Sequence, residues 1–164
     1  MNNMDLDLNR ILGQVCETAT SIGSYLKNEQ TNLKQSAIEM KGSRDYVSYV
    51  DKEAEKQLVS ALQGFIPNAG FITEEDTIEY VEKEYTWIID PLDGTSNYVH
   101  GIAPYNVSIA LMHDKAVILG VVYDPVAGEM FTAIKGEKAR LNDQVITVSD
   151  IDAMLNSFIG FGIP

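Results

Sequence analysis

The chain has 164 residues, 45% of them hydrophobic, enough to build one compact domain with a core of its own. Twelve Lys and Arg against twenty-four Asp and Glu leave a net charge of −12, a field that repels nucleic-acid backbones and anionic membrane surfaces. With Cys16 as the single cysteine there is neither an intrachain disulfide framework nor a CxxC pair, which fits a reducing cytoplasm.

At the start, Asp5, Asp7 and Arg10 stand where a signal peptide needs an apolar stretch. The longest aliphatic run, Ala116 to Tyr123, is too short to span a bilayer, so a soluble cytoplasmic protein is expected. From Leu8 onward, Ile11, Leu12, Val15, Ala19, Ile22 and Leu26 recur at spacings of three and four, predicting a long amphipathic helix. A second helix is predicted to begin near Ser48, where Ser48-x-x-Asp51 reads as a capping signal. It carries Ala54, Leu58, Ala61, Leu62 and Phe65 on one face and closes at Gly64 and Pro67.

Beyond Pro67 the pattern turns to short apolar runs, Gly70 to Thr73 and Tyr85 to Ile89, each followed at once by acidic residues. Further strands are predicted over Val107 to Met112, Ala116 to Tyr123, Glu129 to Ile134 and Val145 to Val148, separated by turn residues. The fold class expected is α+β, two N-terminal helices packed on a mainly antiparallel sheet. Gly160 to Pro164 reads as the opening of another strand or crossover, as if the chain were interrupted.

The sharpest local signal is Trp87-Ile88-Ile89-Asp90-Pro91-Leu92-Asp93-Gly94-Thr95-Ser96-Asn97-Tyr98. An apolar strand delivers Asp90, Pro91 is expected to force a turn, and Asp93 follows, so that both carboxylates converge with the Leu92 carbonyl free to join them. Mg²⁺ takes hard oxygen ligands and keeps several waters, which two carboxylates, a carbonyl and a substrate phosphate satisfy. Gly94 permits close approach of a ligand, and a short helix starting after Thr95 would aim its free N–H groups at phosphate oxygens. The group Thr73-Glu74-Glu75-Asp76 ends the preceding strand and offers a further ligand, with a solvated loop as the alternative. Asp51 and Thr95 can pair to orient and deprotonate an attacking water, with helix capping as the alternative for Asp51. Asp-Pro and Asp-Gly pairs are also ordinary turn residues, so the weight rests on the whole string. His100 and His113 have no partner at ligand spacing and read as structural or surface residues.

These residues resemble the inositol monophosphatase family, whose Asp-Pro-x-Asp-Gly-Thr-x-Asn-aromatic motif is matched by Asp90 to Tyr98. Lys41 to Asp51 is similar to the family's Asp-x-Val-Thr-x-x-Asp segment, Phe71 to Glu75 to its Phe-Ile-Gly-Glu-Glu, and Val107 to Pro125 to its following hairpin. Thr73 stands for the usual Gly, Ser48 for Thr, Ser96 for a common Thr and Tyr98 for Phe.

The resemblance implies the N-terminal domain of the layered αβαβα inositol monophosphatase and sugar phosphatase fold. It implies that Glu74, Asp90 and the Leu92 carbonyl hold a first Mg²⁺, Asp90 and Asp93 a second, and Glu74 a weaker third. Asp93, Gly94 and Thr95 would bind substrate, and Asp51 with Thr95 would be catalytic. The activity implied is Li⁺-sensitive, Mg²⁺-dependent hydrolysis of a small phosphate monoester such as inositol monophosphate, without a phosphoenzyme, by a homodimer that engages neither nucleic acid nor membrane.

The family's Trp-Asp-x-Ala-Ala-Gly motif, which supplies a third aspartate to the second metal, is not found: the only Trp is Trp87. Residues 1–164 are therefore expected to form the N-terminal metal-binding domain, truncated before the C-terminal domain, with the second metal site incomplete. Fructose-1,6-bisphosphatase, histidinol-phosphate phosphatase and 3′(2′),5′-bisphosphate nucleotidase share the motif and stay open as activities. From a different class, a short non-catalytic metal-binding or dimerising module is the competing reading.

Overall fold

The structure is a computed structural model that describes residues 6–36, 43–75 and 78–159. Helix α1 (Leu8–Ser36) begins as its pattern requires. Asp7 caps it, its Oδ1 accepting the Arg10 N–H at 3.0 Å. Ile11, Val15, Ala19, Ile22 and Leu26 form its buried stripe. Thr18, Thr20, Ser24 and Thr31 return their hydroxyls to carbonyls one turn back, so these weak helix formers leave no stray donor.

Helix α2 spans Ser43–Phe65, starting five residues before the expected Ser48. The reason is visible in its buried row Val50, Ala54, Leu58 and Leu62. Val50 is already a full member of that i, i+4 series, so the helix must be under way at least a turn before Asp51. Asp51 thus sits in the helix interior, and capping does not account for it. Lys41 and Gly42, part of the family-like segment, lie outside the described residues, as do Asp76, Asp5 and Gly160 to Pro164.

Seven strands follow in sheet order β1 (Gly70–Thr73), β2 (Tyr85–Asp93), β3 (Asn106–His113), β4 (Ala116–Asp124), β5 (Glu129–Ile134), β6 (Arg140–Leu141) and β7 (Gln144–Val145). β1 runs parallel to β2, and every later pairing is antiparallel, giving the mainly antiparallel α+β sheet that the pattern predicts. Of the strand expected over Val145 to Val148 only Val145 lies in β7, which begins at Gln144, because β6 offers only Arg140 and Leu141 as partners. A 3₁₀ turn, Met154–Asn156, is the last element.

Both long helices lie on one face of the sheet, α1 over β3 and β4 and α2 over β2. Trp87, Ile89, Ile109, Leu111, Leu119 and Val121 meet their apolar stripes there. Ile72, Val122 and Phe131, one register step away on their strands, face the other side and stay more than a third exposed. α1 packs tightly at Gly23, where an added Cβ would lie 2.6 Å from the Tyr123 ring and 2.8 Å from Pro125 Cβ. Among the described residues no helix is long and apolar enough to cross a membrane.

Candidate metal and phosphate site

β2 runs straight through Pro91 to Asp93, so the turn expected at Pro91 does not occur there. Asp90 pairs with Ser108 and Asp93 with Asn106, three steps along β2 against two along β3. Such a bulge tolerates proline, whose missing N–H breaks no ladder bond. It also decides the geometry of the motif. Residues three apart on a regular strand point to opposite faces, but Ser108 and Asn106, two apart, share a face, and so do their partners. The extra residue returns Asp93 to the side of the strand that carries Asp90.

The bulge is braced by Asp90 Oδ1, which accepts the Leu92 N–H at 3.0 Å. The chain then turns at Gly94, whose φ of 91° and ψ of 33° lie in the left-handed region. A Cβ here would also press to 3.1 Å from the Pro104 carbonyl oxygen and 3.2 Å from Tyr105 Cα. Only glycine meets both demands. Helix α3 (Thr95–His100) begins at once, as the motif predicts.

The rest of the motif ties α3 down. Asn97 Nδ2 donates to the Pro104 carbonyl at 2.8 Å. The buried Tyr98 hydroxyl donates to the Leu26 carbonyl of α1 at 2.8 Å, and Gln30 Nε2 donates back to the Tyr98 carbonyl at 3.0 Å. Tyr105 meets the Tyr98 ring edge-on at 5.1 Å.

Around this frame gather carboxylates from three elements. β1 pairs Thr73 with Ile89 in parallel register, so Glu74 emerges beside Asp90. The two side chains are hydrogen-bonded, and this contact, after burial, holds the Asp90 carboxyl up at about 7. Asp51 of α2 is 3% exposed, and its Oδ1 is buried with no hydrogen-bond partner among the described residues. Burial first, then the charges of Glu75, Glu74, Asp90 and Glu55, push its carboxyl up to about 8. The Thr95 hydroxyl donates to the Leu92 carbonyl at 3.0 Å rather than to Asp51.

Glu55 is the residue that sequence reasoning missed. It is fully buried one turn after Asp51, and its Oε2 accepts the Glu75 N–H at 2.8 Å. The signal was present: positions 51, 54, 55 and 58 form one helical stripe, so Glu55 stands inside the apolar face. His100 and His113 lie apart from the group, His100 Nδ1 against the Ser96 carbonyl at 2.8 Å and His113 stacked on Tyr85.

Among the described residues, no three acidic, His or Cys side chains are drawn in to the spacing of a closed metal cage. Mg²⁺ needs no such cage, since it is held by one or two carboxylates and keeps waters elsewhere. The donors here are hard oxygens, they raise one another's proton affinity, and one of them is buried without a hydrogen-bond partner among the described residues. That set fits a divalent cation.

Comparison with known proteins points the same way. The inositol monophosphatase family profile matches residues 7–161. The chain is 34% identical over 155 residues to inositol-1-monophosphatase of Mesorhizobium japonicum, covering 94% of this chain and 58% of that protein. It is 37% identical over 161 residues to the Nus factor SuhB of Haemophilus influenzae, covering 96% and 59% respectively. The inositol monophosphatase structure from Anabaena (Nostoc) sp. PCC 7120 superposes with a TM-score of 0.74 at 29% identity, over 89% of this chain and 52% of that one. The chain thus spans a little under three fifths of the curated relatives it matches. Motif, fold and profile agree over nearly its whole length, and the chain belongs to the inositol monophosphatase family.

Proposed function

We propose that this chain forms the N-terminal, metal-binding part of a Mg²⁺-dependent phosphatase acting on inositol monophosphate or a related small sugar or polyol phosphate. The observation that carries the reading is the convergence of Asp51, Glu74 and Asp90 from α2, β1 and β2 beside the Gly94 turn. The name of the Mesorhizobium relative, inositol-1-monophosphatase, supports the substrate class.

In this reading Glu74, Asp90, Asp93 and the Leu92 carbonyl hold the metal, which supplies positive charge to the phosphate and to the oxygens of attack and departure. Gly94 and Thr95 hold the phosphate, where the absence of a Cβ lets the backbone approach. Thr95 would turn from Leu92 to pass its hydroxyl proton to the Asp51 carboxylate, whose Oδ1 has no hydrogen-bond partner among the described residues, and would take in exchange a proton from the attacking water. The net charge of −12 favours a small, metal-bridged anion over a polyanionic partner. A homodimer acting in the cytoplasm completes the proposal.

The test is phosphate release from inositol monophosphate by the full-length protein as Mg²⁺ is titrated. Activity that rises with Mg²⁺ and disappears in Asp90→Asn is expected; undiminished release by Asp90→Asn would sink the reading.

A further inference from the structure

The segment after β1 has a weak hold on the sheet. Its last ladder pair is Thr73 with Ile89, and Glu74 and Glu75 follow beyond the end of that ladder. Yet Glu74 must stay beside Asp90 if the two are to share a cation. One hold on the segment comes from α2: Glu55 Oε2 accepts the Glu75 N–H at 2.8 Å, twenty residues away in sequence.

Local stability does not explain a carboxylate at position 55. It is 0% exposed, between Ala54 and Leu58, which are equally buried, and a buried charge is costly unless hydrogen-bonded. It also stands one turn from Asp51, a like-charge spacing that disfavours the helix. An apolar residue would suit the helix better. The carboxylate supplies a charge-assisted bond to a backbone N–H, a short and directional tether.

We propose that Glu55 is a positioning residue for the cation site: by tethering the Glu75 backbone to α2, it keeps Glu74 beside Asp90. The inference rests on the reading of Glu74 and Asp90 as cation ligands. Glu55 acts through the main chain and touches neither cation nor substrate.

Calorimetric Mg²⁺ titration of the full-length protein tests this, read alongside the amide proton shift of Glu75. Glu55→Gln retains an acceptor oxygen without the charge, so its Mg²⁺ affinity is expected to stay within about twofold of wild type and the Glu75 amide to remain downfield. Glu55→Ala is expected to weaken Mg²⁺ binding about tenfold and move that amide upfield. Leu119→Ala, a core truncation in β4, controls for lost stability and should leave affinity unchanged. Unaltered affinity in Glu55→Ala overturns the tether, and so does an equal loss in Gln and Ala, which would assign the effect to charge. Unaltered affinity in Asp90→Asn overturns instead the ligand reading beneath it.

Discussion

Thr95 Oγ1 donates its proton to the carbonyl oxygen of Leu92, 3.0 Å away, across the Gly94 turn. Both atoms belong to the proposed site, and this bond ties them together. In the proposed reading a cation held by the Leu92 carbonyl would compete for this bond, and the Thr95 hydroxyl would be able to turn toward Asp51. Thr95→Ser keeps the hydroxyl and is expected to retain most activity, whereas Thr95→Val should lower kcat of the full-length enzyme by roughly a hundredfold or more. Steady-state phosphate release checks this, with thermal unfolding expected to shift by only about 1 kcal/mol in Thr95→Val.

Two carboxyls of the site titrate far above their usual range, Asp90 at about 7 and Asp51 at about 8. A carboxyl whose folded pKa exceeds its unfolded value binds its proton more tightly when folded. That contribution is complete below about pH 4 and disappears as pH rises through 7 and 8. In chelator, the site should thus cost the protein stability on going from pH 5 to pH 8.5. Mg²⁺ should restore more stability at pH 8.5 than at pH 5, because it competes with those protons. Thermal midpoints at the two pH values, with and without Mg²⁺, give the comparison, and Asp51→Asn should flatten the slope in chelator.

Tyr98 links the phosphate turn to α1 through its hydroxyl and the Leu26 carbonyl. Tyr98→Phe keeps the ring against Tyr105 and removes only that bond. A loss of about 1 kcal/mol in denaturant unfolding is expected.

Gly23 weakens α1 by about 1 kcal/mol relative to alanine on helix propensity alone. Space outweighs propensity here, because the new methyl would meet the Tyr123 ring and Pro125. Gly23→Ala is expected to destabilise the fold by about 1–2 kcal/mol, against the gain seen at an open helix site such as Gly13, where no atom lies within 4 Å of the added Cβ.

Much of this architecture could be read in the sequence wherever one element declares itself. α1 follows from the three-and-four spacing of Ile11 to Leu26, and β1 to β5 from apolar runs ended by turn residues. Asp90 to Tyr98 announces the site because a strand, a carboxylate pair and an obligatory glycine fall in one string. What escaped depends on partners. The parallel pairing of β1 with β2 is a property of two strands together, and the bulge at Pro91 exists only relative to β3. Glu55 was passed over because a glutamate in a helix is ordinarily solvated, and only its place among Ala54 and Leu58 marks it as buried.

The offset between Asp90–Asp93 and Ser108–Asn106 makes the motif sensitive to counting as well as to chemistry. Closing the bulge, with Asp90, Leu92, Asp93, Gly94 and Thr95 all kept, would let β2 and β3 pair evenly. The ladder would become more regular, yet Asp93 would stand opposite Tyr105, three positions from Ser108, and point to the opposite side of the sheet from Asp90. The spare residue thus acts as a phase shifter, setting which surface the second acid reaches.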